Sequence, residues 1–238
     1  LILIGGKSGT GKTASLRDLK NQKGVLFLNC DSGKEIPFKN EFRKLVVTHP
    51  QQVLNAFREA QVQPMEKVHT ICVDTLTFLM EMYESKLVLT ASEKDRRTAW
   101  SNYGQYVKEL MQDCVANSTK NVIFTAHTSD LLNESEGVME TLVKVKGATM
   151  NQGIEAYFCN VVSCKKLPLH KLSGYTNKYL NITPEDEALG YKYVYQTKLT
   201  RDTVNERIRG PMGMWDINET FIDNNAQFLL DRLHEYYA

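Results

Sequence analysis

Gly6-Lys7-Ser8-Gly9-Thr10-Gly11-Lys12-Thr13 is the stretch on which the reading of this chain turns. It fits G-x-x-x-x-G-K-[ST], the phosphate-binding P-loop. An apolar run, Leu1-Ile2-Leu3-Ile4, precedes it, and a helix-compatible run from Ala14 to Lys20 follows. Strand, glycine loop and helix in that order are the context the motif requires. Glycines let the backbone curl until its N–H groups point at phosphate oxygens, and a helix N-terminus adds partial positive charge there. Gly6, Lys7, Ser8, Gly9, Thr10, Gly11, Lys12 and Thr13 are therefore candidate cofactor-binding residues. Lys12 is placed to reach the β- and γ-phosphates, and the Thr13 hydroxyl is a candidate Mg²⁺ ligand.

Working outward, Gly24–Cys30 and Leu45–Thr48 read as strands, and Pro50 starts a helix running to Ala60. Val68–Asp74 is an apolar strand ending in an acid, the Walker B arrangement, which makes Asp74 the second candidate for supporting Mg²⁺. Two helices follow. In the second, Trp100, Tyr103, Val107, Leu110, Met111, Cys114 and Val115 fall at helical spacing and read as core. Asn121–His127 is the next strand. Strands alternating with helices predict an α/β fold with a mostly parallel central sheet flanked by helices.

After His127 the pattern changes. Residues 128–150 are polar and read as a long loop, followed by a short helix near Met150–Glu155 and a strand over Ala156–Cys164. Residues 165–190 read as an inserted loop or hairpin, Tyr191–Lys198 as a half-buried strand and Asn224–Tyr237 as a closing helix. The late strands are expected as antiparallel additions to one domain spanning 1–238.

Composition narrows the class. With 238 residues, 42% hydrophobic, 24% charged and a net charge of +1, the chain reads as one globular α/β domain without bulk attraction to nucleic acid. No apolar run reaches membrane-spanning length, and Leu1–Ile4 is too short for a signal peptide, so a cytoplasmic setting and no membrane partner are expected. The chain opens on the P-loop strand without Met, so a few upstream residues are expected. Five cysteines without a C-x-x-C pair read as reduced thiols, with Cys30, Cys72 and Cys159 in apolar runs.

Two further strand ends carry chemistry. Asp31 follows Phe27–Cys30, where strand C-termini line a ligand crevice, and is a candidate base for the attacking water, with Glu35 a weaker rival. His127 can contact a γ-phosphate and report its presence to the segment that follows.

Asp31 after an apolar strand, Asp74-Thr75, and His127 before a long polar segment together resemble the RecA-like ATPase core. Within it, the short length resembles single-domain, phage-encoded ATPases of recombination and single-strand annealing. The resemblance spans about residues 1–210. It departs where His127 stands in place of a switch Gln and where Asp31 stands in place of the commoner Glu. It implies ATP and Mg²⁺ as cofactors, catalytic roles for Asp31, Lys12 and His127, a homo-oligomer, single-stranded DNA as partner and a single-strand-binding protein as a further one, in a bacterial or phage-infected cell.

The resemblance also implies that the segment after His127 contacts DNA. There Lys144 and Lys146 favour phosphate contact, whereas Asp130, Glu134, Glu136 and Glu140 oppose it. From Ala156 to Pro184 there is no Asp or Glu, while Lys165, Lys166, Lys171 and Lys178 occur with Tyr175 and Tyr179, a mixture suited to single strands. Lys198 and Arg201 match the place where RecA-like assemblies present cations to a neighbour's nucleotide. Two alternatives stay open: a P-loop small-molecule kinase with Arg96-Arg97 in a phosphate lid, and a nucleotide-binding loader with little turnover.

Overall fold

The structure, a computed structural model, describes residues 1–146 and 153–238. Its strands are β1 (Ile2–Gly6), β2 (Val25–Asn29), β3 (Arg43–Val46), β4 (Thr70–Asp74), β5 (Asn121–Asn133), β6 (Val138–Val143), β7 (Asn160–Pro168), β8 (Tyr191–Gln196) and β9 (Phe221–Asp223). They form one sheet in the order β3-β2-β4-β5-β1-β7-β8-β9, with β6 paired to β5. Pairings from β3 through β7 along that order are parallel, and β7–β8, β8–β9 and β5–β6 are antiparallel. The strand carrying His127 thus lies between the P-loop strand and the Asp74 strand.

Strands buried on both faces read as unbroken apolar runs, which is why β1 and β4 were legible. Alternate residues serve opposite layers. Leu3, Leu28, Val73 and Phe124 pack with α1 (Gln51–Gln61), α2 (Leu76–Tyr83) and α3 (Arg96–Lys108). Ile2, Ile4, Phe27 and Ile123 pack on the other face with Leu16 and with Leu229 of the C-terminal helix α5 (Ala226–Tyr237). The expected stripe on α3 is core: Tyr103, Val107, Leu110, Met111 and Val115 are buried, the last three on a π-helical continuation, Glu109–Val115.

Four expectations change. Behind the P-loop there is no α-helix over Ala14–Lys20 but a 3₁₀ turn, Ala14–Leu16. Backbone N–H groups here reach three residues back, Leu16 to Thr13, Arg17 to Ala14 and Leu19 to Leu16. Side chains take carbonyls that an α-helical ladder would use, Ser15 at Lys12 and Gln22 at Arg17.

Second, residues 128–143 are not loop. β5 continues to Asn133 and folds back as β6. The Asn133 side chain accepts from the backbone N–H groups of Ser135 and Glu136, and Gly137 adopts φ 67° to close the turn. Third, of the loop or hairpin expected over 165–190 the hairpin forms: β7 reaches Pro168 and pairs antiparallel with β8, and their connection is not all loop but ends in α4 (Pro184–Leu189), which Thr183 and Asp186 start with a capping box. Fourth, Cys159 is exposed, not buried, although all five thiols are free as expected. The expected helix near Met150–Glu155 falls partly outside the described residues; a 3₁₀ turn covers Ile154–Tyr157. Among the described residues, no helix is long and apolar enough to cross a membrane.

Candidate functional site

The P-loop joins the end of β1 to the 3₁₀ turn. Gly11 holds φ 88°, and a Cβ there would lie 2.6 Å from the Asn224 amide nitrogen. A Cβ on Gly6 would lie 2.6 Å from the Cys164 carbonyl oxygen of neighbouring β7. Both positions accept only glycine, one for backbone conformation and one for close approach. Lys12 is buried and curls over the loop, its Nζ donating to the carbonyls of Gly6 (2.9 Å) and Lys7 (2.8 Å). Burial lowers its pKa, and the nearby Asp74 carboxylate opposes that shift.

The Thr13 hydroxyl donates to Asp74 Oδ2 at 2.8 Å, and the Thr125 hydroxyl donates to Oδ1 of the same carboxylate. Asp74 is buried, and burial raises its pKa while the two hydroxyls and Lys12 pull it back. The side chain that caps α2 is Thr75, which accepts from Phe78 N at 3.2 Å, so Asp74 is left to face Thr13. A hydroxyl and a carboxylate are hard oxygen donors and fit Mg²⁺. No group of three or more His, Cys, Asp or Glu stands ready as a metal cage among the described residues. A cation held by Thr13 and Asp74 would take its remaining ligands from phosphate and water, as Mg²⁺ characteristically does.

His127 sits on the middle strand, its Nδ1 3.4 Å from Lys12 Nζ. An ammonium has only protons to give, so Nδ1 accepts and the ring proton lies on Nε2. Burial, and then Lys12, hold the His127 pKa below its ordinary value, so the ring is neutral at pH 7. Its backbone N–H donates to Thr77 Oγ1 at 2.9 Å, and Phe78 meets its ring edge-on at 5.2 Å, so α2 fixes its position from below. Asp31 lies just past β2, its carboxylate 3.0 Å from Lys34 Nζ. It is near enough to Asp74 and His127 to act on both electrostatically. Glu35 is more exposed and pairs with Lys44 at 2.6 Å.

The structure thus brings Lys12, Thr13, Asp74 and His127 together, with Asp31 at the margin. The other expected residues are dispersed. Lys144 and Lys146 pair with Glu81 (3.1 Å) and Glu84 (2.7 Å), acids on and just after α2. Lys165 is held by Gln196 and Glu206. Lys166 is exposed, with its Nζ 5.0 Å from the Tyr191 ring centroid, and Lys171 is exposed on a 3₁₀ turn. Lys198 turns to the Trp215 carbonyl at 3.1 Å, and Arg201 is exposed.

Sequence reasoning missed two groups. Thr125 lies two residues before His127 on the strand, and a polar residue inside an apolar run is the signal that could have found it. A cavity of about 500 Å³ adjoins the P-loop, lined by Gly9, Gly11, Arg17, Tyr191, Tyr193 and Asn224. Its aromatic wall was visible as Tyr191-x-Tyr193, alternate residues on one strand face.

Comparison with known proteins gives a family for the chain. Residues 1–159 match the AAA domain family. No curated protein matches the chain. Among solved structures, the Legionella pneumophila ATPase DotB is similar at 14% sequence identity and a TM-score of 0.30, over 70% of this chain. The similarity spans 41% of the DotB chain. The family match covers about two thirds of the sequence and takes in the P-loop, Asp74 and His127: the chain belongs to the AAA domain family, and it carries a nucleotide-binding P-loop ATPase domain.

Proposed function

We propose that the chain binds ATP with Mg²⁺, hydrolyses it as an oligomer and works on single-stranded DNA. The observation that carries the nucleotide part is the meeting of Thr13 with Asp74 and of Lys12 with His127 on three adjacent strands. Mg²⁺ supplies charge neutralisation between the phosphates when bound. Thr13 and Asp74 hold it, and Lys12 leaves its carbonyl partners for phosphate. His127 presents Nε2–H towards the γ-phosphate. Asp31 positions water once Lys34 yields it, and Lys198 and Arg201 serve the neighbouring copy. Tyr191 and Tyr193 wall the space for base and ribose.

Support for DNA comes from Lys166 and Lys171, exposed within the acid-free stretch, with Tyr191 against Lys166. Lys144, Lys146 and Lys165 already hold acids, so they are weaker candidates. The Asp31–Lys34 pair favours a second reading, a nucleotide-binding assembly factor with little turnover.

The test is an ATPase assay with and without single-stranded DNA, with mass measured at each condition and Lys12→Ala as control. Faster turnover with DNA in an oligomer supports the reading. Tight binding without hydrolysis supports the second. A folded Lys12→Ala protein with unchanged ATP affinity overturns both. Replacing Lys166 and Lys171 by Ala should lower the log–log salt slope of DNA binding by about 0.7 per lost phosphate contact.

A further inference from the structure

Lys7 is a second cation on the phosphate loop, and its two ends are engaged differently. Its carbonyl accepts from Lys12 Nζ (2.8 Å) and from Thr10 Oγ1 (2.9 Å). Its ammonium does not face the loop but reaches Asp130 Oδ2 on the outer part of β5, at 2.6 Å. Asp130 in turn accepts from Thr141 at 2.8 Å, the residue directly opposite it on β6. The hairpin is therefore fastened to the P-loop through one ion pair. The segment 128–143 contains four acids, Asp130, Glu134, Glu136 and Glu140, and no Lys, Arg or His.

We propose that Lys7 is a phosphate-binding residue held in reserve by Asp130, so that nucleotide and hairpin compete for one ammonium. The inference rests on the P-loop reading above. Magnitudes favour the exchange. Both side chains are open to solvent, 64% and 37% exposed, and such pairs are weak. With Mg²⁺ bound, a triphosphate still brings about two net negative charges to the loop that carries Lys7, against one on Asp130. Lys12 must also leave the Lys7 carbonyl to reach phosphate, which frees the same peptide. By linkage, whatever holds the hairpin in its Lys7-bound position weakens nucleotide binding by the factor with which nucleotide releases the hairpin. The Lys7 ammonium lowers the Asp130 pKa, in keeping with a direct contact.

The experiment measures affinity for Mg²⁺ with adenosine 5′-(γ-thio)triphosphate in four proteins: the natural sequence, Asp130→Asn, Lys7→Ala and the double variant. Asn keeps an oxygen for Thr141 and removes the charge. Asp130→Asn is expected to bind about three- to fivefold more tightly, and Lys7→Ala more weakly. The double variant should match Lys7→Ala, because the gain acts only through Lys7. In parallel, nucleotide should speed amide exchange over 128–143 in the natural sequence, and Asp130→Asn should show that faster exchange without nucleotide. Unchanged or weaker binding by Asp130→Asn overturns the proposal, as does a double variant tighter than Lys7→Ala. Nucleotide that leaves exchange over 128–143 unaltered overturns it too. A natural sequence that binds no nucleotide at all defeats the P-loop reading itself, a different result from a protein that binds well but ignores Asp130.

Discussion

From Val122 to Ala126 β5 runs buried between β4 and β1, while from Thr128 to Asn133 its partner is β6 and every residue is partly or fully exposed. The inner half is specified by burial, since a one-residue slip would turn Val122 and Phe124 to the wrong layer. The outer half carries little of this penalty: across it, only Val143 of β6 is buried. Its register is held by polar pairs: Asp130 with Thr141, Asn133 with Glu140, and Lys7 from outside. The changeover falls at His127, which faces Lys12. The candidate nucleotide site thus lies where a strand fixed by its core gives way to one fixed by replaceable side-chain bonds. That is where a local change can move structure at small cost.

Three experiments test this contrast. The largest effect belongs to Thr125→Val in the inner half. It leaves Oδ1 of buried Asp74 unpaired at nearly constant shape, which should cost about 3 kcal/mol in a denaturant titration. It should also raise the Mg²⁺ concentration needed for nucleotide binding, and Thr125→Ser should restore both. A loss below 0.5 kcal/mol would show that the inner half is no more tightly specified than the outer.

Next is His127, at the boundary. Its folded pKa lies below the ordinary 6.5, so the unfolded chain takes up the proton first. Its contribution to stability is complete above that value and is lost as pH falls towards the folded pKa. Comparing urea midpoints at pH 7.5 and 5.5, the natural sequence should lose more stability than His127→Gln. Equal losses would mean that the ring is not held neutral. The smallest effect is expected in the outer half. Leu132 and Met139 face each other across the hairpin at 59% and 53% exposure, so replacing both by Ser should change stability by no more than about 0.5 kcal/mol. A larger loss would show that something covers the hairpin.

The inner half of β5 was legible because its apolar run is what a parallel strand buried on both faces requires. The outer half was not, because its polarity truthfully reported exposure and was read as irregular backbone. The turn signal was nevertheless present, in Asn133 followed four residues later by Gly137. For the site, Lys12, Thr13 and Asp74 could be named because motif spacing fixes them. The pairing of Lys144 and Lys146 with Glu81 and Glu84 could not, because it depends on where α2 packs beneath β5. Thr125 was missed for the same reason: its value lies in Asp74 on the adjacent strand, and adjacency of β4 and β5 is topology, not spacing.

The connection from Thr13 to Val25 has a consequence for what the chain tolerates. Ser15, Leu16 and Leu19 are buried along it, so a residue added or removed there would shift core side chains together with the phosphate loop. The hairpin tip at residues 134–137 is exposed and should absorb changes of length far better. Two stretches that look alike as polar connectors therefore differ in what they permit: one is tied down by what it buries, and the other is not.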